Sequence, residues 1–110
     1  MRAVAQNEDA VIVFDIGGTF FRSGLYSAVS GLCAVEQQPA LSFRSSPDLT
    51  SAALKQGLLD YLLTTARRYA SLYNVRRISI SLGAALDGNR GMVYGSGPLW
   101  GNDSSNYDLL

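Results

Sequence analysis

Ala10-Val11-Ile12-Val13-Phe14-Asp15-Ile16-Gly17-Gly18-Thr19-Phe20-Phe21-Arg22 is the stretch on which the fold turns. Ala10–Phe14 is apolar throughout, as a strand covered on both faces would be. Asp15 stands near the end of that run, two glycines follow, and Thr19 opens a second segment of strand character. One reading is an ordinary hairpin, with Gly-Gly as the turn and Asp15 as a turn cap. The other is an anion site. Glycines lack Cβ, so the backbone can take φ > 0 and approach a ligand closely. Successive N–H groups in such a turn form an anion-binding concavity. Thr19 adds a hydroxyl, and ionised Asp15 offers the hard oxygen that Mg²⁺ prefers.

Working outward, Phe20–Ser27 reads as the return strand. Phe21, Ser23, Leu25 and Ser27 share one face, and Phe20, Arg22, Gly24 and Tyr26 share the other. Gly31 marks a turn. Residues 32–43 contain a third strand with a polar, interrupted centre, Glu36-Gln37-Gln38-Pro39, and Pro39 predicts an edge strand or a bulge. Ser45-Ser46-Pro47-Asp48 is a helix-start signal. The helix is expected to run to about Tyr73 and to end at Asn74. Leu54, Leu58, Tyr61, Leu62, Thr65, Ala66, Tyr69, Leu72 and Tyr73 form one broad apolar stripe meant for a sheet. Gly57 costs that helix roughly 1 kcal/mol relative to alanine.

Arg77–Leu82 alternates as a strand does, and Gly83 breaks it. Residues 84–94 read as two short strands around a turn at Asp87-Gly88-Asn89-Arg90-Gly91. Residues 95–98 read as a loop. Asp103-Ser104-Ser105-Asn106 suits the cap of a final helix beginning near residue 105. The order β-β-β-α-β, followed by a small hairpin, predicts an α/β fold: a mixed sheet with the helix on one face.

Composition narrows the function classes. The 110 residues suit one small domain, and 47% are apolar against 16% charged. That is a globular composition with a dry surface, part of it suited to a partner or to a further part of the protein. Nine basic and nine acidic residues cancel, so no global field attracts nucleic acid. The cluster Arg67, Arg68, Arg76 and Arg77 is expected to complement a helix C-terminus. A single cysteine, Cys33, excludes an intrachain disulfide and a multi-cysteine zinc site, and it reads as a buried small hydrophobe. With no histidine in the chain, Ser-His-Asp and Cys-His catalysis are excluded. Residues 1–9 read as a flexible leader without a signal-peptide region, and no apolar run approaches a membrane span. A cytoplasmic protein with no membrane partner is the expectation.

Val13-Phe14-Asp15-Ile16-Gly17-Gly18-Thr19-Phe20-Phe21-Arg22 resembles the first phosphate-binding motif of the sugar kinases in the actin-like ATPase superfamily, both hexokinases and glucokinase or ROK-type kinases. The element order resembles the N-terminal lobe of that fold, a ribonuclease-H-like mixed sheet, with residues 10–110 covering part of the lobe. Ile78 to Gly88 is similar in position to the family's strand and substrate loop. Gly91 to Trp100 is similar to the hairpin and Trp-containing loop that follow.

The resemblance implies transfer of the ATP γ-phosphate to a hexose hydroxyl, with ATP and Mg²⁺ as cofactors. Gly17, Gly18 and Thr19 would contact the β- and γ-phosphates, and Asp15 would hold Mg²⁺ through water. Arg22 matches an arginine of hexokinase-like members, and a solvated strand charge explains it equally well. Gly83, Ala84 and Trp100 would belong to the substrate loop. Phe20 replaces a polar residue, Gly83-Ala84-Ala85-Leu86 lacks the proline-glycine pattern common in ROK kinases, and Pro98 stands where an asparagine is frequent.

The family's catalytic base is the Asp of an Asn-Asp pair after a fifth strand. Asn102-Asp103 follows a loop instead, so a helix cap is the favoured reading and Asp103 a weak candidate base. The chain is therefore expected to be a truncated lobe, inactive alone, that pairs with a missing C-terminal lobe or forms a homo-oligomer. The competing expectation is a non-catalytic binding or assembly module on the same scaffold.

Overall fold

A computed structural model describes residues 8–82, 85–87, 92–95, 99 and 107–108. β1 (Asp9–Ile16), β2 (Phe20–Ser27) and β3 (Gly31–Pro39) form an antiparallel meander. α1 (Ser51–Leu72) then crosses over, and β4 (Asn74–Leu82) returns parallel to β1. The four-stranded sheet has the order β3-β2-β1-β4. A second sheet joins β5 (Ala85–Asp87), β6 (Met92–Gly95) and β7 (Tyr107–Asp108) in that order, all antiparallel. The result is a mixed α/β architecture, compatible with one lobe of a larger kinase.

Alternation explains the core. Ala10, Ile12, Phe14 and Ile16 of β1 are buried, as are Phe21, Ser23, Leu25 and Ser27 of β2. They meet Leu54, Leu58, Leu62 and Tyr69 of α1, with Cys33 and Leu99 completing the cluster. Each such aliphatic side chain contributes about 1.5–3 kcal/mol when fully buried. Tyr61 sets its ring edge-on to Phe14, with centroids 5.7 Å apart, and tilts against Phe21 at 4.9 Å. The β2 faces are those the alternation predicts. Cys33 is buried and free, as expected.

The second face of β1 is only partly covered. Val11 and Val13 are half-buried and Asp15 is exposed, so the uniformly apolar run does not mark a strand enclosed on both sides. β1 also begins at Asp9, and Glu8 already accepts hydrogen bonds from the hydroxyls of Ser27 and Ser30, within the stretch read as a leader. β3 lies at the sheet edge, where Pro39 ends it without disrupting a ladder. Its irregularity falls at Ala34 rather than in the polar centre. Residues 33–36 of β3 span only Leu25–Ser23 of β2, a bulge with Ala34 at φ 52°.

The helix begins later than the Ser-Ser-Pro-Asp signal predicts. Ser45 and Ser46 are spent on turns: Ser46 N–H bonds the Ser42 carbonyl and Leu49 N–H bonds that of Ser46. Thr50 caps α1 instead, its hydroxyl accepting from Ala53 N–H at 3.1 Å. Leu72, placed on the apolar stripe, is exposed. No basic residue occupies the last turn of α1, so the arginines do not serve its dipole. Arg68 pairs with Glu36 and Arg76 with Asp9. Gly57 has a packing role: a Cβ there would collide with Leu41, which lies across the helix.

The hairpin of β5 and β6 appears where the sequence predicts it; its turn residues 88–91 lie outside the described residues. The final helix does not form at Tyr107–Asp108, which instead add an edge strand to β6. Among the described residues, no helix is long and apolar enough to cross a membrane.

Candidate functional site: the β1–β2 turn

β1 and β2 are joined by a tight reversal. Gly17 N–H donates to the Phe20 carbonyl at 3.0 Å, which leaves Gly18-Thr19 as the loop. Neither glycine takes a positive φ; that conformation occurs at Gly31 and Ala34. A Cβ on Gly17 would sit 3.5 Å from the Phe20 oxygen, an ordinary contact. The fold therefore places no demand for glycine at position 17. What the missing side chain provides is open access to the backbone from outside.

The two loop carbonyls are anchored inward. Ser42 Oγ donates to the Gly18 oxygen at 2.5 Å, and Ala40 N–H donates to the Thr19 oxygen at 2.9 Å. Among the described residues, the Gly18 and Thr19 N–H groups have no partner. An array of free donors beside tied acceptors is the polarity an anion requires.

A charged row flanks the turn. Asp15, Arg22 and Gln37 are register partners across β1, β2 and β3 on the uncovered sheet face. Arg22 Nε donates to Gln37 Oε1 at 2.8 Å, its Nη1 lies 3.5 Å from Asp15 Oδ2, and its guanidinium stacks 5.6 Å over Phe20. The Asp15 side chain is 60% exposed, so its carboxylate is free to take a further ligand. The row closes one end of a shallow groove of about 230 Å³, whose apolar lining includes Val13, Gly24, Leu32 and Val35.

Five of the expected site residues are thus brought to one end of the sheet: Asp15, Gly17, Gly18, Thr19 and Arg22. β4 ends there too, because Leu82 aligns with Ile16 in the parallel register. The carboxyl ends of parallel strands are where open α/β sheets receive ligands. Gly83, Ala84, Trp100 and Asp103 lie outside the described residues. Among the described residues no cluster of three metal-ligating side chains exists. Mg²⁺ carried by one carboxylate, water and phosphate oxygens fits the donor set at Asp15.

A second polar cluster secures the edge strand. Arg68 forks onto Glu36 at 2.7 and 3.0 Å, and Tyr69 Oη lies 2.8 Å from the Ala34 carbonyl and 3.2 Å from both Glu36 and Ser23. The Arg68 hydrogen bond holds the Glu36 carboxyl below its ordinary range, and burial pushes the Tyr69 phenol up. The cluster faces the helix side of β3, opposite the charged row, and its role is to close the bulge at Ala34.

Sequence reading did not single out Ser42 or Gln37. The Ser42–Ser45 spacing is a local turn signature, but the pattern of the sequence assigns Ser42 to the third strand and Ser45 to the helix start. Gln37 shows its role only through cross-strand register.

No protein-family profile matches the chain. Over 99 residues, 90% of its length, the chain is 34% identical to an Actinoplanes sp. protein named 2-epi-5-epi-valiolone 7-kinase. The matched region is 26% of that protein, so the chain spans about a quarter of the length of this curated relative.

Proposed function

We propose that the chain forms the nucleotide-phosphate half of an ATP-dependent sugar kinase, of the glucokinase or ROK kind suggested by its first motif. The observation that carries this reading is the β1–β2 turn. It presents two N–H donors without a partner among the described residues, a glycine the fold does not require, and an exposed carboxylate two residues earlier. The partial likeness to a protein named as a kinase supports it. The Gly18 and Thr19 N–H groups receive the β- and γ-phosphates, Gly17 leaves the approach open by lacking a side chain, and Arg22 supplies a cation near their outer oxygens. Asp15 would hold Mg²⁺ through water, and the ion would supply screening of the phosphate charge there. Phosphoryl transfer depends mainly on positioning and charge stabilisation, which these groups provide for the donor nucleotide.

The acceptor is proposed to be a sugar or related polyol approaching from the carboxyl end of β4, where Gly83, Ala84 and Trp100 would contribute. The general base and the opposite wall of the nucleotide site are assigned outside the described residues, and Asp103 remains a weak candidate. A cytoplasmic setting goes with this reading. So does coverage of the uncovered sheet face by a further lobe or a second copy.

The test is a coupled assay of the full-length protein with ATP, Mg²⁺ and a panel of hexoses and cyclitols. Sugar-dependent ADP release that disappears in Asp15→Ala is the expected result. Release that Asp15→Ala leaves unchanged would contradict the assignment.

A further inference from the structure

We propose that Ser42 is a positioning residue for phosphate binding: it fixes the direction in which the Gly18–Thr19 peptide presents its N–H. This rests on the reading of the β1–β2 turn as a phosphate site. The argument begins with peptide geometry. In a trans peptide the carbonyl and the following N–H point in opposite directions. Anchoring the Gly18 oxygen therefore aims the Thr19 N–H away from the anchor. Ser42 Oγ holds that oxygen at 2.5 Å, and Ser42 is fully buried, so water does not compete for the contact.

Proton counting shows that the anchor is committed. A serine hydroxyl has one proton to donate. Ser45 gives its proton to the Ala40 carbonyl at 2.5 Å and accepts from Ser42 N–H at 3.3 Å. Ser42 accepts from Ser45 N–H at 3.3 Å, which leaves its own proton for Gly18. The 3.0 Å approach of the two hydroxyl oxygens is then a consequence of these four bonds. Segment 40–45 thus acts as a brace behind the turn, and Ala40 N–H holds the Thr19 carbonyl beside it. Without Ser42 the Gly18–Thr19 peptide is free to rotate. The turn would then show an incoming phosphate a carbonyl oxygen for part of the time instead of a donor.

The experiment measures binding of Mg²⁺-tripolyphosphate to the full chain by calorimetry, alongside ¹H–¹⁵N spectra that follow the Thr19 amide. Wild type is expected to bind with a shift at Thr19. Ser42→Ala is expected to bind roughly tenfold more weakly, the scale of one hydrogen bond. Its Thr19 amide should be displaced before ligand is added, and its melting temperature should indicate a folded protein. Ser42→Thr keeps the hydroxyl and should restore affinity to within about twofold, the remainder reflecting its extra methyl in a packed site. Should Ser42→Ala not fold, Ser42→Cys carries the test, because a thiol is a weak donor of similar size and should also weaken binding. Folded Ala or Cys variants that bind as wild type does, with an unmoved Thr19 amide, overturn the inference. Failure of wild type to bind overturns instead the phosphate reading beneath it, so the two failures are distinguishable.

Discussion

Asp15 and Arg22 face each other across β1 and β2, with the guanidinium 3.5 Å from the carboxylate and both side chains about half exposed or more. A pair this open and this long contributes well under ~1 kcal/mol to folding. Its value lies in holding two opposite charges next to the Gly17–Thr19 turn. Replacing Arg22 with alanine should leave thermal stability almost unchanged yet weaken Mg·ATP binding by roughly tenfold or more, the scale of a charge-assisted hydrogen bond. Asp15→Asn should remove the dependence of nucleotide affinity on Mg²⁺. Calorimetric titrations with and without Mg²⁺ check both. Equal Mg²⁺ enhancement in wild type and Asp15→Asn would remove Asp15 from the metal's surroundings.

Gly57 illustrates a balance of two effects of opposite sign. Alanine would favour the helix by roughly 1 kcal/mol. The added Cβ, however, runs into Leu41, whose Cγ would also lie 3.3 Å away. Overpacking of this kind costs typically ~1–3 kcal/mol. Gly57→Ala should therefore destabilise the fold on balance, and Leu41→Ala in the same chain should turn the Gly57 substitution stabilising. Urea denaturation of the four proteins in this cycle gives the coupling directly. Additive effects would show that Leu41 does not press on the helix at this point.

Glu36 predicts an acid-side loss of stability. Its folded pKa is lowered, chiefly by the Arg68 hydrogen bond. The contribution is therefore fully present above the ordinary carboxylate value of 4.5 and is lost as pH falls through the depressed value. Because the pair is half exposed, the effect should stay below ~1 kcal/mol. Melting curves between neutral pH and pH 3 should fall less steeply for Glu36→Gln than for wild type. Identical acid slopes would show that the ion pair is not formed in solution.

The legible parts of the fold were those governed by period and by backbone chemistry. Alternation located β2 to the residue and put Phe21, Ser23, Leu25 and Ser27 on the buried face. Pro39 left β3 an edge strand or a bulge, of which it takes the edge position, and the apolar stripe placed α1 against the sheet. The less legible parts depend on competition between distant groups. Ser45-Ser46-Pro47-Asp48 has every local mark of a helix start, but Ser42 and Ala40 draw Ser45 into the brace behind the turn, and Ser46 N–H bonds the Ser42 carbonyl. Gly57 looks like a weak point in a helix until Leu41 arrives from another segment. At the site, Asp15 through Thr19 was readable because the motif is contiguous. Gln37 and Ser42 were not, since only cross-strand register and tertiary packing bring them there.

The central claim is that the β1–β2 turn binds the phosphates of ATP, and amide chemical-shift mapping of the full chain with Mg·ATP tests it most directly. The account predicts saturable, Mg²⁺-dependent shifts concentrated at Asp15, Gly17, Gly18 and Thr19, with Arg22 Nε moving as it changes partner. Saturable binding with those resonances unmoved, and the shifts confined instead to the groove around Gly24, Leu32 and Val35, would contradict it.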